Sequence, residues 1–343
     1  MNVVRGIGWL ISICILLTAA GLSVSGLWPS DCASPLTSGA DLRGCDLRGR
    51  DFSDQKLEGL VLAGTNLRET DFSRTMLKNV NLADADLSGA DFTAATISGV
   101  NFTGARLDEA RFNGAELRDS SLILATLIKA RLHNTRLENV LVEHANLSGA
   151  SLNGTSIHQT SMISSRFDNV TFEGATLSGI NFRHADFNHT RIRRSDISDI
   201  EIYAAKFSDL EFSDSRLTGI NRTRRTGLPI AGTRLSLIRT CLSDSFFGSA
   251  EIADLVLTST RLHNVNLDGA VIRTARLTDV FLDRTSLGKN PQGVPFRLEG
   301  VQSNRLDISE TSLENTLIQG TIDPGYPVAQ DRKSFPEECR PLP

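Results

Sequence analysis

DLSGADFTAATISGVNFTGARLDEARFNGAEL, residues 86–117, places an apolar residue at every fifth position: Leu87, Phe92, Ile97, Phe102, Leu107, Phe112 and Leu117. A helix repeats about every 3.6 residues and a half-buried strand about every two, so neither produces a strict five. A chain that turns after each short extended segment does. Outward from this stretch, every fifth residue from Leu42 to Leu217 is apolar. The register resumes at Leu237 and runs to Leu287, interrupted by Arg222, Gly227 and Gly232. We refer to these apolar residues as centres, with Leu82, Leu87, Phe92, Phe102, Leu107 and Phe112 the clearest core positions.

Two places before each centre stands a second, usually small residue, as at Ala85, Ala90, Ala95, Ala105, Ala110 and Ala115. Two inward and three outward residues per five give a narrow core inside a polar wrapper. Gly at the second place after the centre, as at Gly89, Gly99, Gly104 and Gly114, fits a corner with positive φ. The small position carries a slower rhythm. Leu60, Val80, Val100, Val140, Ile180, Ile200 and Ile220 fall on multiples of twenty, and Phe52, Phe72, Phe92 and Phe112 are also twenty apart. Four five-residue units therefore make one coil, and each side of a coil stacks on the same side of the next. Burial of the centres supplies about 25 cal/mol per Å² of apolar surface. Backbone bonds between coils, stacked about 4.8 Å apart, satisfy the extended chain. Each coil needs its neighbours.

The units ADLSG at 85–89, ADFTA at 90–94 and ANLSG at 145–149 resemble the pentapeptide-repeat family, whose consensus is written A(D/N)LXX. The resemblance covers about residues 40–287. It implies an all-β, right-handed quadrilateral β-helix, and the hand is implied by the resemblance alone. The family includes proteins that bind type II topoisomerases by resembling duplex DNA in size and charge, which depends on a strongly acidic surface.

Two breaks divide the repeats. NRTRRTGLPIAGTR, residues 221–234, interrupts the centres, but Leu237 resumes the phase twenty residues after Leu217, as if one coil were altered rather than lost. Pro229 lacks a ladder N–H, and Arg222, Arg224, Arg225 and Arg234 make this segment a candidate interaction loop as well as a solvated bulge. The second break, GKNPQGVPFR at 288–297, shifts the phase, after which Leu298, Ile308, Leu313 and Ile318 start a new register with polar Ser303 as its flaw. The expected organisation is a solenoid over 40–220, an irregular basic segment at 221–234, continued solenoid at 235–288 and a loop at 289–297. Degenerate repeats then fill 298–322, and 323–343 form a cap or tail over the open end.

Ahead of the repeats, residues 1–5 read MNVVR and residues 6–28 carry no charge. At about 1.5 Å per residue a helix of that length spans a bilayer. One hydrophobic helix is expected there, either a retained signal anchor or a cleaved signal peptide, with a linker at 29–39. Arg5, with no basic cluster after the segment, favours a cytoplasmic N-terminus. The expectation is a membrane-anchored chain with its solenoid outside the cytoplasm, or a secreted or periplasmic one after cleavage. Cys45 either pairs with Cys32 or fills a small core position, and both readings stay open. No C-x-x-C pair marks a redox or zinc site.

The surface chemistry is evenly spread. With 36 basic and 40 acidic residues the formal charge is −4, which favours neither a nucleic-acid binder nor a polyanion mimic. Asp41, Asp46, Asp51, Asp71, Asp86 and Asp91 precede their centres in the first coils, and Arg106, Arg111, Arg131, Arg136, Arg166, Arg191 and Arg216 take that place later. The six histidines, among them His144, His184 and His189, show no metal spacing. Carboxylate pairs such as Asp86 and Asp91 recur in every coil, so none stands out for acid/base work. No nucleophile elbow, P-loop or zincin motif is present, and no cofactor, metal or catalytic residue is assigned. The expected function is a non-enzymatic scaffold for a protein partner, presented at or beyond a membrane. The alternative is an envelope polysaccharide-binding or polysaccharide-active β-helix, and a DNA mimic of the topoisomerase-binding kind ranks below both.

Overall fold

Most five-residue units of the early coils, those centred on Leu57, Leu77, Ile97 and Leu117 excepted, close through two local devices. The backbone N–H of the small residue bonds the carbonyl of the preceding centre, as from Ala85 to Leu82 at 3.2 Å and from Ala90 to Leu87 at 3.0 Å. The Asp or Asn ahead of the centre accepts from the N–H two residues on: Ser88 to Asp86 at 3.1 Å, Thr93 to Asp91 at 2.9 Å, Thr103 to Asn101 at 3.0 Å. That bond gives the acidic or amide letter of the repeat a conformational role. The corner itself falls at the second residue after the centre, with φ of 72° at Gly89 and 57° at Asp84.

The computed structural model describes residues 38–222, 229–311 and 316–321. In it the units wind into an all-β solenoid of the right-handed type. Parallel pairing advances by twenty residues, from Lys56–Glu58 to Met76–Lys78, Thr96–Ser98, Glu116–Arg118, Arg136–Glu138 and Ser156–His158. Single bridges on the other sides keep the same step, as Asp51 to Asp71 to Asp91 to Arg111. We number the four sides by their centres: the first carries Leu62, Leu82 and Phe102, the second Leu67, Leu87 and Leu107, the third Phe72, Phe92 and Phe112, and the fourth Leu77, Ile97 and Leu117.

The core is a stack of like on like. Leu82, Leu87, Phe92, Phe102, Leu107 and Phe112 are each at most 1% exposed. On the third side Phe72, Phe92 and Phe112 stack at 4.9 and 4.7 Å between ring centroids, with planes 3° and 6° apart. Buried threonines at the small position are satisfied without water. Thr75 Oγ1 donates to the Phe52 carbonyl at 2.8 Å, Thr135 to Phe112 at 2.7 Å and Thr260 to Leu237 at 2.8 Å.

The first break differs from its sequence reading. Leu217 stacks on Leu242 and Phe212 on Leu237, an advance of 25 residues. The coil is therefore one five-residue unit longer, and the extra chain lies between Asn221 and Ile230. A whole inserted unit leaves a five-residue phase intact, which is why the sequence reads as an altered coil. At the second break Ile272 pairs with Leu298, an advance of 26, so the phase shifts as expected. Beyond the first break the strands lengthen to Glu251–His263, Val271–Asp283 and Arg297–Glu310. Leu298 and Leu306 are buried, Ile308 and Ile318 pack against the core, and Leu313 lies outside the described residues.

The membrane-anchored location is corrected. No helix among the described residues is long and apolar enough to cross a membrane. The described body turns predominantly polar and charged side chains outward. The segment at 6–28 lies outside the described residues. Neither the anchored location nor the secreted or periplasmic one that rested on the same segment is carried forward. Cys45 is buried in the small position and disulfide-bonded, and Cys241 is disulfide-bonded as well. Many coils separate the two, so they do not pair with each other, and Cys32 lies outside the described residues.

Candidate interaction surface

Outward side chains on three of the four sides are tied up in ion pairs between or within coils. Arg68 meets Asp86 at 3.4 Å and Arg106 meets Asp108 at 3.3 Å on the second side. Arg111 meets Asp91 at 3.6 Å on the third, and on the fourth Lys78 meets Glu58 at 2.9 Å and Arg118 meets Glu138 at 2.5 Å. The first side is different. Between Val61 and Ile163 its outward positions hold Ala63, Asn81, Ala83, Asn101, Thr103, Ser121, Ile123, Leu141 and Ser161, with Glu143 and the corner residue Asp84 the charges among them. Glu143 accepts from Ser161 Oγ at 2.6 Å, and Thr103 and Ser121 share a hydrogen bond at 3.0 Å. At its middle stand Leu141, 42% exposed, and the corner residue Leu124, 60% exposed with φ of 60°. The signal is in the sequence when the outward positions are read every twentieth residue, and it is lost when they are pooled.

Arg222 pairs with Asp199 at 3.3 Å and Arg234 with Asp254 at 3.0 Å, on different sides. Arg224 and Arg225 lie outside the described residues. Asp254 is pushed up by burial, but hydrogen bonds from Thr274 and Arg234 outweigh that and hold its carboxyl below the ordinary value.

The candidate acid/base and metal residues are not brought together. Asp86 and Asp91 face different sides. Burial raises the Asp86 carboxyl, and the Ser88 hydrogen bonds with the Arg68 and Arg106 charges reverse this to a net lowering. A group held ionised in this way is a poor proton donor. His189 leans toward Asp209 at 3.5 Å, while His144 and His184 occupy one corner line two coils apart. Among the described residues no group of three or more His, Cys, Asp or Glu is placed to hold a metal ion.

The model for the pentapeptide repeat region matches residues 39–112, and that for pentapeptide repeats in eight copies matches 105–142, 130–169 and 165–200. No curated protein matches the chain. Among solved structures, QnrB1, a plasmid-mediated fluoroquinolone resistance protein, is 14% identical, with a TM-score of 0.39 over 65% of this chain and 91% of that one. HetL, a pentapeptide repeat protein involved in heterocyst differentiation regulation from the cyanobacterium Nostoc sp. strain PCC 7120, is 22% identical, with a TM-score of 0.25 over 60% and 90%. A pentapeptide repeat protein from the Arabidopsis thaliana thylakoid lumen is 27% identical, with a TM-score of 0.20 over 32% and 69%. None of the three assigns this chain a partner. Through residues 39–200 the chain belongs to the pentapeptide-repeat family.

Proposed function

We propose that the chain is a non-enzymatic scaffold that holds a protein partner against its first side, between Val61 and Ile163. One observation carries this reading: Leu124 and Leu141 stand exposed on the side that carries the fewest charges. Covering them removes apolar surface from water at about 25 cal/mol per Å². The neighbouring Asn, Ser and Thr are desolvated at far less cost than ions, which interface cores avoid. Leu124 also holds a left-handed backbone that costs an L-residue about 1–2 kcal/mol.

The test is a photo-crosslinking residue in place of Ile123 on the first side, against one in place of Arg118 on the fourth. A discrete protein adduct is expected from the first side alone, lost in a Leu124→Glu/Leu141→Glu variant whose circular dichroism and melting match the parent. Equal adducts from both sides, or none from the first, overturn it. The basic segment at 221–234 is an accessory contact in this reading, exchanging the Arg222–Asp199 and Arg234–Asp254 pairs for a partner's carboxylates. Arg222→Ser/Arg234→Ser then weakens capture without abolishing it.

A DNA-mimicking reading is favoured by a single feature, the rank Asp51, Asp71 and Asp91 on the third side. Arg111 and Arg131 continue the same line and break its sign. Inhibition of DNA gyrase supercoiling by the purified chain would bring this reading forward. The polysaccharide alternative has no carboxylate pair set apart for it, and a glycan array without a hit removes it.

A further inference from the structure

The coils from Ile200 onward are less tightly filled than the early ones. In the early coils the small position holds Ala85, Ala90, Ala95 and Ala105, and the centres beside them are sealed, as Phe92 and Leu107 at 0% exposure. From the coil of Ile200 onward large residues are more frequent at that position, as Leu210, Ile220, Ile230, Leu235, Leu255 and Val280, alternating with small ones such as Ala205, Ala250 and Ala270, whereas in the early coils only one side, that of Leu60, Val80, Val100 and Val140, carries them regularly. Where large residues fall on two sides of one coil, as Ile200 with Leu210 and Ile230 with Leu235, the centres are less tightly sealed than beside Val80 and Val100, where Leu82 and Phe102 are 0% exposed. Phe212 stays 8% exposed and Leu282 9%, although both point inward between hydrogen-bonded strands. Their open surface faces the inside of the tube.

That interior is an apolar cavity of about 130 Å³, reaching along the axis from Phe172 to Ile318 and lined only by Phe, Leu, Ile, Val and Ala. Water is a poor occupant, because an ordered water needs two to four polar partners and this wall supplies none. A void of about 150 Å³ with the same kind of lining stays dry and takes benzene or xenon. An apolar guest regains the dispersion contacts that a gap forfeits.

We propose that the lumen of the C-terminal coils is a binding site for a small, uncharged, apolar molecule held along the axis. This site is independent of the first-side surface, which lies on the early coils.

The experiment uses the full chain with benzene and xenon as probes. Benzene should raise the melting temperature in a saturable, dose-dependent way, and xenon should give a ¹²⁹Xe shift distinct from that of bulk solvent. Leu237→Phe places a ring next to Phe212 on a line that already carries stacked rings, so it fills the lumen within the pattern of the fold. It should weaken benzene binding at least tenfold while leaving the guest-free melting temperature equal or higher. Ala205→Val narrows the same lumen by two methyl groups, and serves if Leu237→Phe does not fold. No response to either probe in the parent, or an equal response in parent and filled variants, overturns the proposal.

Discussion

Gly232 shows how far a single position is fixed by the coil beneath it. It occupies a centre position, where its neighbours along the line are Phe207 and Ile252, and it pairs with Phe207. A Cβ added there would lie 2.1 Å from the Phe207 ring atoms Cδ2 and Cε2. The Phe207 ring has moved into the space that the missing side chain leaves, so one residue's volume is supplied by another. Gly232→Ala must displace that ring in a packed wall, and overpacking of this kind costs about 1–3 kcal/mol. Urea denaturation of the variant is the check. An unchanged midpoint would mean that the ring has a second comfortable rotamer. Phe207→Leu, paired with Gly232→Ala, should recover part of the loss, because the clash is with the ring and not with the backbone.

The stacked line of phenylalanines is the element on which the early coils are threaded. Phe92 has a parallel ring on each side, at 4.9 and 4.7 Å, and Phe102 edge-on at 5.9 Å. Phe92→Ala removes contacts to three rings at once and opens a void that the flanking hydrogen bonds cannot close. The expected loss is about 3–5 kcal/mol, against about 1 kcal/mol for Phe92→Leu, since the same line accepts Leu132 and Leu152. Paired chemical denaturation curves measure the difference, and similar losses for the two would rule out a special role for the rings. This line was readable in the sequence, because Phe52, Phe72, Phe92 and Phe112 repeat every twenty residues. So was the corner, since Gly recurs where φ is positive. The longer coil after Leu217 was not readable, because five added residues leave a five-residue rhythm unchanged and only pairing partners reveal the slip. The 26-residue advance after Ile272 was readable because it is not a multiple of five. The charge-poor first side stayed hidden for a related reason. A side is a twenty-residue pattern in the outward positions, and pooled composition averages it against three charged sides.

Over the whole molecule the charges are numerous, nearly balanced and arranged as many small pairs rather than one field. Asp41, Asp46, Asp54 and Asp214 are each held below the ordinary carboxylate value of 3.8, chiefly by hydrogen bonds from Arg43, Arg48, Arg74 and Arg239. A lowered folded value means that the unfolded chain takes up protons first as the pH falls. The stability these pairs contribute is complete above about pH 4 and is lost as the pH drops through the folded values. Each pair is largely exposed, so each contributes little on its own. In a solenoid, however, every coil depends on its neighbours, and small losses repeated along the stack add. Below pH 4 the chain also keeps its 36 basic residues while its 40 carboxylates neutralise, so repulsion along the rod grows in the same window. The melting temperature should be flat from pH 7 to 5 and fall steeply below 4. Asp54→Asn/Asp214→Asn should flatten part of that acid slope and change little at neutral pH. A parent whose melting is unchanged down to pH 2.5, or a double variant with the parent's slope, would show that packing alone carries the rod and that the pairs serve only its solubility.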